Sequence, residues 1–397
     1  MTPAVAWVLL AVAGLIVALP TLLYPAALRL AAALRPAPVA PTPRPGRATV
    51  VVAFTGGGPL LAAKVSRLAA VAAASGWQVD TVLAGDGPIA EADRRSARAA
   101  AGDMPVTLCA LDAPAGKAAA LNLGAGHATG DVLVFSDLDA DLADDALATL
   151  CRWFAEPSVG AVCGRRQIVR DGGPAVAAAG QRAYTDLDSR IKLLENRLGA
   201  ITSNDGKLYA MRRSLFRPIH PAATDDLYNA LTVVAQGYRV LFEPAAVARI
   251  PSPAWTVGHD LRRRRRVTLR GLTGLFARPR LLLAPRFGLF GPRLIVNKLL
   301  RRCLPVAGLL VLLALLLLAP AHAWAGWLIA AALLGGLGTA AYAPLARRGV
   351  TGRLPAKADK LWASAFYAGL GMLGMLLGLV DFLRGKRVVR WAPRKAA

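Results

Sequence analysis

Three hydrophobic patterns follow one another along the chain. Residues 4–23 are nearly all apolar and uncharged, and the apolar character runs on to Leu34. Next, short apolar runs of strand length alternate with Ala/Leu-rich stretches of helical length. Towards the end, residues 304–318, 323–343 and 361–383 are again almost continuously apolar. Runs of about 20 apolar residues are long enough to cross a bilayer, so the pattern predicts a membrane helix over residues 1–35 and more across 303–383. Pro320 separates two of these into a hairpin, and the glycines of residues 361–383 suit close helix packing. Residues 278–302 mix Leu and Phe with Arg286, Arg293, Lys298, Arg301 and Arg302 and are broken by Pro285 and Pro292. Such a segment suits the membrane interface.

The central pattern predicts strands at 48–54, 78–84, 106–110 and 132–135, with helices at 60–75, 91–101 and 115–128 between them. Strands alternating with helices of this length describe an α/β layer fold with a mostly parallel sheet. The run Val132-Leu133-Val134-Phe135 has no polar alternation, as expected of a strand buried on both faces. It leads straight into Asp137, Asp139 and Asp141, at the end of the sheet where ligands bind. Crowded carboxylates repel unless a cation lies between them, and oxygen-only ligation suits Mg²⁺ or Mn²⁺. The competing reading is a solvated turn ahead of a helix at 144–154. Gly56-Gly57-Gly58 lacks the spacing of a phosphate loop and is read as a tight turn allowing close backbone approach to a ligand. Residues 36–45 are Pro-rich, a stiff linker between the first membrane helix and a domain spanning 48–277.

Composition agrees with a membrane protein. The 397 residues are 55% hydrophobic, and the formal net charge is +24. Nothing positive precedes the first apolar run, whereas Arg29, Arg35, Arg44 and Arg47 follow it. A cleaved signal peptide fits this poorly, and the basic flank places the domain in the cytoplasm. Cys109, Cys151, Cys163 and Cys303 form no CxxC pair and are read as reduced cytosolic thiols. Arg262–Arg266 is five arginines in a row, which on its own suits nucleic acid, anionic lipid or a phosphate-bearing ligand.

In chain order, Asp86-Gly87, Gly116-Lys117-Ala118-Ala119-Ala120-Leu121-Asn122, Asp137-Leu138-Asp139 and Thr224-Asp225-Asp226 form a series that resembles the motifs of the membrane-bound family 2 glycosyltransferases, the group that includes ceramide glucosyltransferases and polysaccharide synthases. The second strand ends in Asp86-Gly87, like that family's Asp-Gly turn. Gly116-Lys117-Ala118-Ala119-Ala120-Leu121-Asn122 is similar to its Gly-Lys-x-x-Ala-Leu-Asn segment, and Asp137-Leu138-Asp139 to its D-x-D. Asp205-Gly206-Lys207-Leu208-Tyr209-Ala210-Met211-Arg212-Arg213 resembles the family's G-x-x-Y-A-x-R-R strand and turn, and Thr224-Asp225-Asp226 the acidic general-base motif. Residues 260–271 (DLRRRRRVTLRG) fall where the family has Q-x-x-R-W, and residues 381–393 resemble its C-termini. Two departures stand out. The usual Pro-x-x-Asn-Glu after the first strand is replaced by Thr55-Gly56-Gly57-Gly58, and the Gln and Trp of Q-x-x-R-W are missing.

The resemblance implies a Rossmann-like GT-A domain and transfer of a hexose from a nucleotide sugar, taken as a UDP-sugar. It implies that Asp86 contacts the nucleotide base and that Asp137 and Asp139 hold Mg²⁺ or Mn²⁺. Lys117, Asp137, Arg263 and Arg266 would then hold the donor diphosphate. It also favours Asp226, with Asp225 close behind, as the base that deprotonates the acceptor. From the residues alone these two acids equally suit the start of a helix at 227–236. The expected acceptor is a membrane lipid or lipid-linked glycan, at the inner membrane, with anionic lipids as neighbours and no nucleic-acid partner. The rival readings are a processive exopolysaccharide synthase, a catalytically silent scaffold on the same fold, and a basic binder of nucleic acid or anionic lipid. Four spans starting outside would return the C-terminus outside, against the basic residues of 347–360 and of the tail at 384–397. One apolar segment is therefore expected to be re-entrant or interfacial.

Overall fold

The computed structural model describes residues 2–169, 175–251, 257–348 and 355–389. Arg353 and the last part of the basic tail, residues 390–397, lie outside the described residues. The first apolar run is helical throughout: α1 (Thr2–Ala18) and α2 (Tyr24–Ala33) join through a π-turn at Leu19–Leu23. Pro20 sits in that turn; proline has no amide for the helical ladder, which widens locally to accommodate it.

The domain follows as β1 (Arg47–Phe54), α3 (Pro59–Ser75), β2 (Gln78–Gly85), α4 (Glu91–Ala101), β3 (Val106–Ala110), α5 (Lys117–Gly126) and β4 (Val132–Ser136). Its second half is β5 (Asp141–Leu142), α6 (Ala146–Cys151), β6 (Val159–Val169), α7 (Ala175–Asn196), β7 (Leu208–Arg212), α8 (Asp225–Ala235), β8 (Arg239–Pro251) and α9 (Val257–Phe276). Eight strands form one sheet in the order β3-β2-β1-β4-β7-β6-β8-β5. β1 to β4 are mutually parallel, β7 runs antiparallel between β4 and β6, and β6 and β8 are parallel to each other. The mostly parallel sheet expected from the strand–helix alternation is the one observed.

Both faces of the sheet are covered, which explains the absence of alternation in its strands. Along β1, Val50, Val52 and Phe54 pack with Leu61, Val65 and Leu68 of α3, while Val51 and Ala53 pack with Leu121 of α5 and Leu231 of α8. Gly124 lets α5 lie close on the sheet: a Cβ there would fall 2.7 Å from Val51 Cγ1. The helix expected at 144–154 breaks early, α6 passing into a 3₁₀ turn at Arg152–Ala155.

After the domain come α10 (Arg280–Leu283), α11 (Phe290–Leu294), α12 (Leu304–Leu318), α13 (Ala323–Arg347) and α14 (Ala356–Leu383). Among the described residues, four stretches are long and apolar enough to cross a membrane: Pro3–Ala33, Phe290–Leu318, Ala323–Tyr342 and Lys357–Leu383. The second begins inside the segment read from sequence as interfacial. There Arg293 donates to Ala200 O (3.1 Å), and Asn297 donates to Thr202 Oγ1 (2.8 Å) and Glu195 Oε1 (3.2 Å). The Tyr24 hydroxyl also donates to Glu195, so one buried carboxylate joins the N-terminal helix, the domain and the helix entering α12. Polar residues that look amphipathic in sequence are thus spent on domain contacts. Residues nearer α10 stay outward-facing, with Leu283 and Leu289 exposed.

Candidate active site

The site lies outside the carboxyl ends of β1 to β4, where loops from a parallel sheet gather. Asp137 and Asp139 leave β4, and Lys117 opens α5 directly after Gly116, whose φ of +98° suits glycine. Lys117 Nζ lies 2.8 Å from Asp137 Oδ1 and 2.9 Å from Asp225 Oδ2. Lys207, just before β7, lies 2.9 Å from Asp137 Oδ2 and 2.7 Å from Asp139 Oδ1. The two ammonium groups hold the Asp137 carboxyl well below the usual carboxylate range against the opposing effect of burial, and the carboxylates hold both lysines above theirs. Structure therefore brings together Lys117, Asp137, Asp139, Asp225 and Asp226 from three separate elements.

The acid pair is seated at the first turn of α8, with Thr224 at the N-cap position making no side-chain capping bond. Asp225 is committed to Lys117. Asp226 takes one hydrogen bond, from the Leu227 amide (2.7 Å). Burial, then the negative charge of Asp225, push the Asp226 carboxyl up to about 6. Arg270 on α9 steadies the loop ahead of this turn, donating to Ala223 O and Pro221 O. Asn229, one turn further along α8, donates to the Tyr209 hydroxyl on β7 (2.9 Å).

Asp86 is buried at the end of β2, and its Oδ1 accepts the amides of Ala115 (2.7 Å) and Gly116 (2.8 Å). It thereby sets the turn from which Lys117 projects. The arginine run divides by partner. Arg264 pairs with Asp260 and Arg265 with Asp381, both outside the acid cluster. Arg263 is half-buried, and desolvation, then the positive charge of Arg166, lower its guanidinium to about 10. Arg266 is half-buried and lies in electrostatic reach of Arg270. No ion pair links Arg263 or Arg266 to Asp137 or Asp139 among the described ion pairs.

Two lysines were not singled out from sequence. Lys207 stands inside a quoted motif without a role. Lys64 on α3 donates to Ser136 Oγ (2.8 Å) and Ala140 O (2.5 Å), bracing the acidic turn from beneath. Burial outweighs the pull of Asp137 and Asp139 and lowers its ammonium to about 7. The signal existed: Lys64 falls on the Leu61, Val65, Leu68 stripe that packs into the core, where a lone lysine requires partners. The triple-glycine turn also differs from the expectation. Gly56 and Gly58 have φ of +65° and +68°, but the carboxylate of Asp93 fills the space beside Gly57 and accepts the Gly58 amide (2.7 Å). The close approach there is made by α4.

The oxygen atoms of Asp137 and Asp139 converge on one point, held here by the Lys207 ammonium. No group of three or more His, Cys, Asp or Glu suited to a metal occurs among the described residues. Two carboxylates fit a cation of the Mg²⁺ type, which takes one or two protein carboxylates and completes its shell with substrate phosphates.

Residues 66–219 match the profile of glycosyl transferase family 2. This central stretch is similar to that family. The matched stretch includes Asp86, Lys117, Asp137, Asp139 and Lys207 and ends before Asp225 and Asp226. Over 129 residues the chain is 33% identical to the O-antigen chain rhamnosyltransferase RfbN of Salmonella typhimurium LT2, covering 30% of this chain and 40% of that protein. The chain thus spans about two fifths of the length of that curated relative. The solved structure of the mannosyltransferase PcManGT from Pyrobaculum calidifontis, in complex with GDP-Man and Mn²⁺, superposes with a TM-score of 0.71. That likeness covers 98% of this chain and all of the other at 23% identity, and it establishes the GT-A fold with apolar helices at both ends.

Proposed function

We propose that this chain is a membrane-bound inverting glycosyltransferase of family 2 that moves a sugar from a nucleotide sugar to a lipid or lipid-linked glycan. The observation that carries the reading is the Lys117 bridge: one ammonium joins the acidic turn after β4 to the acid pair of α8. A diphosphate seated by the first and an acceptor hydroxyl facing the second would meet at a single reacting carbon. In that reaction the bond from the anomeric carbon to the diphosphate oxygen breaks as the acceptor oxygen bonds to the opposite face. Asp226 takes the acceptor's proton onto its carboxylate, which its raised affinity suits near neutral pH. Asp225, fixed by Lys117, keeps the neighbouring negative charge that raises that affinity. Asp137 and Asp139 would hold a divalent cation, which when bound supplies charge neutralisation at the departing diphosphate. Lys117 offers the same diphosphate a fixed positive charge, and Arg263 and Arg266 of α9 would add to it.

The test is release of nucleoside diphosphate by detergent-purified protein supplied with a membrane lipid extract and a panel of donors. UDP-sugars come first; GDP-mannose and a nucleotide-activated rhamnose follow, since such sugars belong to the similar proteins named above. Release from one donor class that disappears with chelator is the expected result. No release from any donor, with no metal-dependent nucleotide binding, would replace this reading with a silent scaffold.

Because the Lys207 ammonium occupies the point on which both carboxylates converge, a cation must displace it to bind there. Lys207→Gln is therefore expected to tighten Mn²⁺ binding without nucleotide by roughly tenfold, measured as loss of the free-ion electron paramagnetic resonance signal. Weaker binding by the variant would refute the competition.

For topology we propose three crossings, with α14 lying along the domain. Gly371, Gly374 and Gly378 of α14 sit against Arg264, Arg265 and Thr268 of α9, so the close packing suited to its glycines is made with α9. Asp381 pairs with Arg265 and Lys386, and the backbone of Val389 reaches Gly116. These contacts support a C-terminus on the same side as the domain, consistent with its basic flanks. A fluorescent protein fused at the C-terminus should fluoresce, and a phosphatase fused there should stay inactive; active phosphatase would overturn the arrangement.

A further inference from the structure

A cavity of about 720 Å³ lies between the far end of α8, the end of α9 and the turn running from α10 to Phe287. Arg217, Arg278, Arg280 and Arg286 all line it, and no carboxylate is on its wall among the described residues. It is separate from the acid cluster: Thr232 and Gln236 on its wall follow Asp226 by six and ten residues along α8, roughly 9 and 15 Å.

Arg278 is the built element of this cavity. Its Nη2 donates to Tyr228 Oη (3.1 Å) and Thr232 Oγ1 (3.2 Å), and its guanidinium stacks on the Tyr228 ring at 5.0 Å. Its Nε is buried and has no acceptor. The bonds from Nη2 and the Tyr228 ring hold this planar fork in place at the cavity wall. Four guanidinium groups without a counter-charge repel one another, and an anion between them relieves this. Arginine forks match the oxygen spacing of phosphate in bidentate fashion.

We propose that this cavity binds a phosphate group, and that the phosphate is carried by an anionic membrane lipid. Leu283 and Leu289 in the same turn are 81% and 68% exposed, an apolar fringe beside a cationic hollow. The turn leads directly into Phe290–Leu318, one of the helices suited to span the membrane. The arrangement would set Leu283 and Leu289 into the acyl boundary with the headgroup drawn down to Arg278, and would fix the height of α8 above the bilayer.

The test is native mass spectrometry of the full chain in detergent, with dioleoyl phosphatidylglycerol, dioleoyl phosphatidylcholine or soluble glycerol 3-phosphate. One phosphatidylglycerol adduct should persist at detergent and lipid concentrations that strip phosphatidylcholine. Arg278→Met and Arg286→Gln should each weaken it about tenfold, and Arg94→Gln on distant α4 should not. Arg286 is exposed, so its variant tests the site even if Arg278→Met fails to fold. Equal retention of both lipids, or equal losses from Arg94→Gln and Arg286→Gln, would overturn the site. Glycerol 3-phosphate binding as tightly as the lipid would overturn the lipid source.

Discussion

Asp226→Asn is expected to lower turnover by about 10²–10⁴-fold and to leave the fold intact. Asparagine keeps the volume of the side chain and an oxygen to accept the Leu227 amide, but it cannot take a proton. The wild-type rate should rise with pH through about 6, where Asp226 loses its proton and becomes competent as a base. The variant's residual rate should lack that limb, and initial rates of nucleoside diphosphate release from pH about 5 to 8 would show it. Should Asp226→Asn keep both rate and limb while Asp225→Asn loses them, Asp225 would be the base. The geometry argues against this outcome, because the Asp225 carboxylate is already held in an ion pair with Lys117.

Lys117→Met should have the largest effect on stability. It leaves Asp137 and Asp225, whose side chains are 23% and 12% exposed, without the cation between them. Removing one member of a buried ionic group costs about 3 kcal/mol, which for a domain of this size is roughly 6–12 °C in apparent Tm. Lys207 still pairs with Asp137, so the damage should centre on Asp225, and adding Asp225→Asn should recover part of the loss. The deficit should also depend on pH. The Asp137 carboxyl, depressed in the folded state by Lys117 and Lys207, contributes stability above its unfolded pKa and loses it as pH falls towards the folded value. The gap between wild type and variant should therefore narrow below about pH 4. A deficit unchanged down to pH about 2 would mean that Lys117 stabilises by packing its stem. Activity should fall as well, since the same ammonium is proposed to face the donor diphosphate.

Much of the domain was legible along the chain because its signals are local. Val132-Leu133-Val134-Phe135 announces a doubly buried strand, and the acids that follow it stand at the ligand end of a parallel sheet without further information. Helix ends were less legible. The acids at 225 and 226 look like caps from sequence, whereas the helix begins on them and Thr224 takes the cap position. The segment 290–302 looked interfacial because it mixes charge with leucine; Arg293 and Asn297 instead satisfy buried groups of the domain.

The sequence by itself determined the order of layers, the apolar helical character of both ends and the residue types of the site, because hydrophobic period and turn chemistry act over a few residues. Only the tertiary structure decided which charges meet. Lys64 reaches Ser136 across 72 residues, Lys207 reaches Asp139 across 68 and Lys117 reaches Asp225 across 108. Ion pairing depends on distance in space, and β7, inserted antiparallel between β4 and β6, is what carries Lys207 to the acids. The same holds for the four arginines around the α8–α10 cavity and for α14. A run of apolar residues shows that a helix avoids water; whether lipid or α9 covers it is set by the surface it meets.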